Sequence, residues 1–330
     1  MNHMLPQPGF WALTAREMKT RSSMLGEMLI LVLLHLIASI VGSFLLTIPL
    51  TAWVMGSESG SILEAAREGR SMYSVLDELL RNLPDWAVIV ALFTSGAMGV
   101  AALVYCRKFQ KRSLASMGLD RGGAGEYLLG LALGLVLFAA VTAVGVAAGG
   151  FRLAAERPAA ELGLVLLALL GCMVWGASLE LLFRGYFAPS LGAVYPPIFA
   201  LLLSSMASVF LQQTGTSLVS MGGVNSLLLA LFLGIWVIKR GRLWSACAIQ
   251  AAWSFGMSFL VNFAPAGKHG GPRLLDVDAD FYRPLLTGAE YGPQASICAT
   301  VVLLAAIAAV LALKPRDPAP QPREQAGNNL

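Results

Sequence analysis

The sequence predicts an all-α polytopic membrane protein, a bundle of about eight transmembrane helices with cytoplasmic N- and C-termini. Of its 330 residues, 57% are hydrophobic and only 13% are charged. An ordinary soluble domain is about 25% charged. Mean hydropathy is +0.70, and a 34.9 kDa globule cannot bury so much apolar surface inside one core. The composition therefore argues against a soluble enzyme and predicts an integral membrane protein.

Eight apolar stretches are long enough to cross a bilayer as helices, because a span needs about 20 residues to cover about 30 Å. The first stretch is too long for the core of a signal peptide and lacks a convincing cleavage site, so we interpret it as an uncleaved span. The fifth and sixth stretches are the shortest. The predicted spans are residues 24–50, 86–106, 125–148, 161–183, 197–213, 222–238, 242–263 and 294–313.

Lysine and arginine, which accumulate in cytoplasmic loops, set the expected orientation. With the N-terminus inside, the predicted inner segments hold 15 of the 23 basic residues and the outer loops hold eight. The inner clusters also lie next to the spans, where this rule is strongest. The net charge of +4 is then explained by cytoplasmic loops, and no nucleic-acid partner is expected.

The remaining segments differ from the spans in composition. A basic, amphipathic start is typical of a helix on the membrane surface, and a tail rich in Pro, Gln and Asn is typical of disorder. The predicted segments are a cytoplasmic N-terminal segment at 1–23, N-terminal transmembrane helices at 24–160 with an acidic outer loop at 51–85, a second outer loop at 264–293, a last transmembrane helix at 294–313 and a disordered cytoplasmic tail at 314–330.

Residues that carry common hydrolytic chemistry are scarce in the predicted spans. The four cysteines lie in different apolar stretches without a Cys-x-x-Cys spacing, which predicts buried small side chains rather than disulfides or zinc ligands. Of the three histidines only His35 lies in a span, and no aspartate lies in any span. The sequence therefore predicts no metal site and no cofactor, and it lacks the parts of a Ser-His or two-Asp hydrolase.

One charged pair lies in an apolar segment. Glu180 and Arg184 are four residues apart with Glu first, the better order for an ion pair on one helix face. An ionisable group in hydrocarbon costs about 2.5–3.5 kcal/mol, and pairing lowers that cost for both partners. The pair is either a structural clamp at the membrane boundary or the remnant of an active site.

The residues around this pair resemble a known family. The segment at 179–186 reads Leu-Glu-Leu-Leu-Phe-Arg-Gly-Tyr. It is similar to the Glu-Glu-x-x-x-Arg-Gly-Tyr motif of the CPBP family, the CAAX prenyl proteases and bacteriocin-processing enzymes. Residues 204–212 and 241–254 resemble the family's second and last motif regions. The resemblance covers roughly residues 107–263 and defines a CPBP-like core at 161–263. It implies an intramembrane endopeptidase, which we expect in the bacterial cytoplasmic membrane.

The catalytic positions that the resemblance implies are substituted in this chain. Where the family has the Glu that activates water, this sequence has Leu179, and the two family histidines correspond to Gln212 and Gln250. Gln cannot move a proton near neutral pH and is a poor metal ligand compared with imidazole, and Leu can do neither. No catalytic residue set is therefore intact. The retained motif residues are Glu180 and Arg184, and the substituted positions are Leu179, Gln212, Gln250 and Ser254, the last in place of the family's Asn.

The predicted span edges raise a geometric question. The charged pair falls at the inner end of the fourth predicted span, whereas Gln212 lies 15 residues beyond Pro197, about 22 Å along a helix. For these side chains to meet, the fourth helix must begin deeper, the fifth must tilt, or the span edges must differ. The amides of Gln212, Gln213 and Gln250 either join helices by hydrogen bonds or line a polar cavity.

Three functions fit these observations. The first is a CPBP-like protein without peptidase activity that binds a peptide, a lipidated tail or a membrane-protein partner. The second is an active endopeptidase that uses Glu180 with water and the Gln amides. One residue rotates a side chain by about 100° around a helix, so Glu180 does not simply replace the missing Glu. The third is a transporter or permease component, which the scarce intramembrane charge and the lack of repeats disfavour.

Overall fold

The computed structural model describes ten stretches of the chain. Most of the predicted outer loop at 51–85, part of the predicted loop at 264–293, residue Gln213 and the predicted tail beyond 316 lie outside them. The described residues are 6–18, 23–58, 64, 67–71, 73–74, 83–153, 162–212, 219–262, 275–280 and 282–316.

The described chain is mainly helical, and several helices continue into π-helical turns. The helices are α1 (Gly9–Glu17), α2 (Met24–Trp53), α3 (Asp85–Thr94), α4 (Gly96–Val104), α5 (Gly123–Ala147), α6 (Leu162–Glu180), α7 (Ala188–Gly192), α8 (Pro197–Gln212), α9 (Met221–Arg240), α10 (Trp244–Phe255), α11 (Pro284–Thr287) and α12 (Ile297–Ala312). The π-helical segments are Val54–Glu58, Tyr105–Phe109, Leu181–Phe187 and Gly256–Leu260, and the 3₁₀ turns are Ala115–Met117, Ala289–Tyr291 and Pro293–Ala295.

Serine side chains cap the start of three helices. Ser23, Ser220 and Ser296 precede α2, α9 and α12, and each hydroxyl accepts a hydrogen bond from a backbone N–H three residues later, at 3.1 to 3.2 Å. Such caps satisfy one of the free N–H groups that every helix start exposes. At its other end, α9 stops at Gly241, whose φ of 68° lies in the left-handed region that glycine tolerates best.

Five helices are long and apolar enough to cross a membrane. They are Met24–Gly56, Asp85–Phe109, Gly123–Ala147, Leu162–Gly192 and Met221–Arg240. Large apolar side chains on α2, such as Leu29, Ile40 and Phe44, are exposed, as expected for a surface that lipid covers. These findings confirm an all-α membrane protein. The shorter apolar helices α8 and α12 and the inner helix α10 correspond to the remaining predicted spans.

The helix α10 lies at the centre of the bundle, between α5, α6 and α9. Glycines on its neighbours allow this close packing. A Cβ atom at Gly130 of α5 would lie 2.3 Å from the backbone oxygen of Ser245, and one at Gly176 of α6 would lie 2.7 Å from that of Cys247. Small residues at helix interfaces let backbones approach in this way.

The fourth predicted span continues further than the sequence indicates. It was predicted to end at residue 183, but α6 passes through Leu181–Phe187 into α7, which gives a continuous helix at Leu162–Gly192 of 31 residues. Tyr186 and Phe187 are fully buried inside the protein. Hydropathy ends the span at Arg184, but that residue is covered by other helices rather than exposed to water. The predicted edge is therefore wrong, and Arg184 does not belong to an inner loop.

A small sheet lies at one end of the bundle. The strands β1 (Phe151–Leu153), β2 (Val261–Asn262) and β3 (Leu275–Ala279) lie in the order β1-β3-β2, with β3 antiparallel to β1 and parallel to β2. The sequence predicted only a loop at 264–293. In β3, Asp and apolar residues alternate, which buries Val277. We call this the sheet end, and the opposite end, where α1, Gly241 and residues 313–316 lie, the terminal end.

We predict that Gly130→Ala destabilises the folded protein. The added methyl group would meet the backbone of α10, so the helices must separate, at a cost of about 1–3 kcal/mol. The matched control is Gly125→Ala on the same helix, where a Cβ atom meets nothing within 4 Å. Thermal unfolding of the detergent-solubilised protein should show a lower midpoint for Gly130→Ala alone. Equal midpoints for the two variants would contradict this packing.

Candidate functional site

A cavity of about 240 Å³ lies inside the bundle, between α6, α8, α9 and α10. We call it the central cavity. Five of the six positions that the sequence indicated contribute to its wall. The span edges predicted from hydropathy did not show whether these side chains would come together. These five are Leu179, Glu180, Arg184, Gln212 and Gln250, and the other lining residues are Ser208, Val209, Ser226, Leu229, Ala230, Leu233 and Gln294.

Ser254, the sixth position, is not part of the wall. It lies one helical turn beyond Gln250 on α10 and is half-buried. Ser254 is therefore on a helix that lines the cavity, but its side chain is not part of the lining.

The continuous helix at Leu162–Gly192 explains how these positions meet. Because this helix extends to Gly192, Glu180 and Arg184 lie within it rather than at its end. Gln212 is the last residue of α8 and reaches the same cavity from the neighbouring helix. Of the three ways in which convergence was expected, a difference in span edges is the one observed.

Glu180 and Arg184 form an ion pair inside the protein. The Arg184 Nη1 donates to Glu180 Oε1 at 3.1 Å, and both residues are buried, with exposed fractions of 3% and 0%. Arg184 Nη2 also donates to the backbone oxygen of Ala230 on α9 at 2.9 Å. Glu180 Oε2 and Arg184 Nε have no hydrogen-bond partner among the described residues. The pair cancels its own charge and joins α6 to α9.

Three glutamine side chains line the cavity. Gln212 Nε2 donates to the backbone oxygen of Ser208 on its own helix at 2.7 Å. Gln294, in the 3₁₀ turn before α12, donates through Nε2 to Ser226 Oγ of α9 at 3.2 Å. Gln250 is half-buried on α10 and reaches the cavity from the third side. For Gln212 this arrangement favours the polar-cavity interpretation over interhelical hydrogen bonding.

Two polar lining residues lie outside the motif regions that the sequence indicated. Gln294 begins the last predicted span, and Ser226 is a polar residue in the apolar helix α9. Asn225, next to Ser226, donates to the backbone oxygen of Gln294 at 2.7 Å and so fixes this wall. For Gln294, its position as a polar residue at the edge of an apolar stretch could have indicated a role in the site. Ser226 offered no signal beyond its polarity.

A second groove of about 300 Å³ adjoins the central cavity and shares Leu179 and Gln212 with it. We call it the lateral groove, because it opens between α2, α3, α4, α6 and α8. Its wall is mostly apolar and includes His35. The remaining lining residues are Ala38, Ser39, Gly42, Ser43, Leu46, Ala91, Thr94, Ser95, Met98, Trp175 and Leu211.

A buried arginine contacts the helix Leu162–Gly192 next to Arg184. Arg112 is 1% exposed, and it donates to Thr14 of α1 at 2.8 Å and to the backbone oxygen of Gly185 at 3.2 Å. Burial lowers the pKa of the Arg112 guanidinium from its ordinary value, while nearby groups such as the Glu17 carboxylate oppose that shift. Arg112 thereby connects the N-terminal helix to the residue that follows Arg184.

The central cavity offers mainly hydrogen-bonding groups. Its wall holds three amides, two hydroxyls and one carboxylate that is paired with a guanidinium. Among the described residues, no group of three or more His, Cys, Asp or Glu side chains is close enough to hold a metal ion. Amides and hydroxyls donate and accept hydrogen bonds but have no pKa near neutrality.

These features define a helical membrane protein with a polar cavity built around a Glu-x-x-x-Arg pair. Comparison with protein families identifies residues 161–256 as an Rce1-like domain, described as type II CAAX prenyl endopeptidase Rce1-like. This confirms the CAAX-protease resemblance, and the match covers less than a third of the chain. No curated protein and no solved structure matches the chain.

We predict that Arg184→Met strongly destabilises the protein. The substitution leaves Glu180 buried without its counter-ion, and breaking a buried pair in this way costs about 3–5 kcal/mol. Thermal unfolding in detergent should show the loss, and the double variant Glu180→Gln with Arg184→Met should recover much of it.

The matched control is Arg283→Met, which breaks an exposed pair with Asp280 at 3.4 Å. Exposed pairs contribute about 0–1 kcal/mol, so this variant should unfold close to the unaltered protein. If Arg184→Met and Arg283→Met have the same unfolding midpoint, the buried pair does not stabilise the protein.

Proposed function

We propose that this chain is a non-proteolytic relative of the CAAX endopeptidases that uses its central cavity to bind a peptide segment, preferably a lipidated one, of a membrane partner. One observation carries the proposal. The cavity wall includes Leu179, Gln212 and Gln250, the positions at which the resemblance leads us to expect a Glu and two histidines. The scaffold that brings these positions together is thus retained, whereas the groups that would activate water are replaced.

The retained carboxylate is a poor substitute for the missing base. Glu180 is fully buried and held by Arg184, so its Oε1 already accepts a charge-assisted hydrogen bond. A general base must reach a water molecule and exchange its proton near the working pH. The neighbouring Gln212 and Gln250 cannot take over that exchange.

The lining of the two adjoining spaces supports a ligand that is polar at one end and apolar at the other. Main-chain amide groups of a peptide match the donors and acceptors of Gln212, Gln250 and Gln294 in the central cavity. The lateral groove is mostly apolar and meets the cavity at Leu179. An acyl or prenyl chain attached to the peptide fits that groove by burial of apolar surface.

The proposed setting follows the topology expected from the sequence. We place α8, α10 and α12 in the bilayer with the five long helices, which gives eight spans with both termini in the cytoplasm. The proposed membrane is the bacterial cytoplasmic membrane. No metal or cofactor takes part in this proposal.

We predict binding without cleavage. The purified protein, reconstituted in lipid nanodiscs, should bind a fluorescent farnesylated peptide, as measured by anisotropy, and leave it intact by mass spectrometry. The same peptide without the lipid should bind more weakly, because the groove contribution is lost. Cleavage that Glu180→Ala abolishes would instead show that the protein is an endopeptidase that uses Glu180.

We predict that Gln250→Leu weakens peptide binding about tenfold, because one hydrogen bond to the ligand is lost while the side-chain volume is kept. The matched control is Ser254→Ala on the same helix, whose side chain does not line the cavity. Both variants should retain the unfolding midpoint of the unaltered protein within a few degrees. If the two substitutions change the dissociation constant equally, the peptide does not bind in the central cavity.

A further inference from the structure

A third cavity, of about 500 Å³, lies at the terminal end of the bundle and shares no lining residue with the central cavity. We call it the terminal cavity. It is enclosed by the N-terminal segment with α1, the turn before α5, the end of α9 and the residues that follow α12. Its lining combines arginines with apolar side chains: Pro6, Gln7, Pro8, Gly9, Phe10, Leu13, Ala115, Gly118, Asp120, Ile238, Arg240, Gly241, Arg242, Pro315 and Arg316.

The charges around the terminal cavity leave one positive charge in excess. Three guanidinium groups of the lining, those of Arg240, Arg242 and Arg316, pair with two carboxylates, one in the lining and one beside it. Arg240 and Arg316 both donate to Glu126, at 2.6 and 2.5 Å, and Arg242 donates to Asp120 at 2.9 Å. A phosphodiester carries a single negative charge, so it would neutralise this set.

The arginines also keep donors for a further acceptor. A guanidinium group has several N–H donors in a planar fork. Arg316 uses one side-chain nitrogen for Glu126 and is about half exposed, and Arg242 uses one for Asp120. The negative charge of the Asp120 carboxylate repels an anion. Its Oδ1 is buried without a hydrogen-bond partner among the described residues. The arginine donors outnumber the carboxylate acceptors that they meet.

The position of the terminal cavity indicates a lipid source for the phosphate. Two exposed apolar side chains, Phe109 and Leu313, are close in sequence to the lining residues Ala115 and Pro315. Within the cavity, Phe10 and Ile238 offer apolar contacts next to the arginines. Basic pockets between helices at the cytoplasmic membrane face bind the headgroups of anionic lipids.

We propose that the terminal cavity binds the phosphodiester headgroup of an anionic phospholipid, with Arg242 and Arg316 as the principal donors. The site is separate from the central cavity, so the proposal does not depend on what that cavity binds. Bound lipid would join α1, α9 and the residues that follow α12. Glu126 of α5 already joins the last two, through Arg240 and Arg316.

The test titrates the full-length protein in detergent with phosphatidylglycerol and with phosphatidylcholine, and native mass spectrometry counts the bound lipids. Phosphatidylglycerol should bind more tightly. Arg316→Gln and Arg242→Gln should each weaken it about fivefold, as expected for one basic group near a phosphate. Glu126→Gln should strengthen it, because it removes a competing negative charge. The matched control is Arg283→Gln at the sheet end, which should leave binding unchanged.

Three results would overturn the proposal. Equal affinity for the two lipids would remove the charge preference on which it rests. Equal losses in Arg316→Gln and Arg283→Gln would place the lipid elsewhere. Displacement of phosphatidylglycerol by an equal concentration of soluble glycerol 3-phosphate would assign the cavity to a soluble phosphate instead. If Arg242→Gln unfolds, Arg316→Gln at the half-exposed position and the gain in Glu126→Gln still decide the outcome.

Discussion

Charge inside a membrane protein must be cancelled where it lies, and the Glu180–Arg184 pair does this at the centre of the bundle. Because Arg184 also donates to the backbone of Ala230, the pair joins two of the helices that line the central cavity. The cavity therefore remains polar at modest cost, since no net charge is buried. Its amides and hydroxyls require only neutral hydrogen-bond partners.

The helix that carries this pair is supported from its other side by the N-terminal part of the chain. Arg112 donates to the backbone of Gly185, and Tyr186 donates to Glu27 of α2 at 2.6 Å. The segment Leu181–Phe187 is thus covered by protein on all sides, which is why a π-helical turn with an arginine continues an apolar helix. The family motif contains both Gly185 and Tyr186, and here each takes part in this support.

Much of the arrangement followed from local patterns, and the failures have a common cause. Hydropathy located the long helices, and the spacing of Glu180 and Arg184 indicated their pairing. The end of the fourth span could not be predicted from hydropathy. The residues beyond Arg184 are buried against other helices, and such contacts between distant parts of the chain are not visible in local sequence. Ser226 could not be assigned to the site, since its contact with Gln294 joins residues far apart in sequence. The strand at 275–279 is short, and its antiparallel partner at 151–153 is likewise far away in sequence.

The residues at the motif positions determine the charge of the cavity. A carboxylate at position 179 would lie beside Glu180, and one guanidinium would then face two negative charges. With Leu179 the single carboxylate is matched by Arg184. Likewise, Gln212 and Gln250 keep hydrogen-bonding capacity without the proton that imidazole carries below its pKa. Under the proposed function, a neutral group such as a peptide main chain would add no unpaired charge to this cavity.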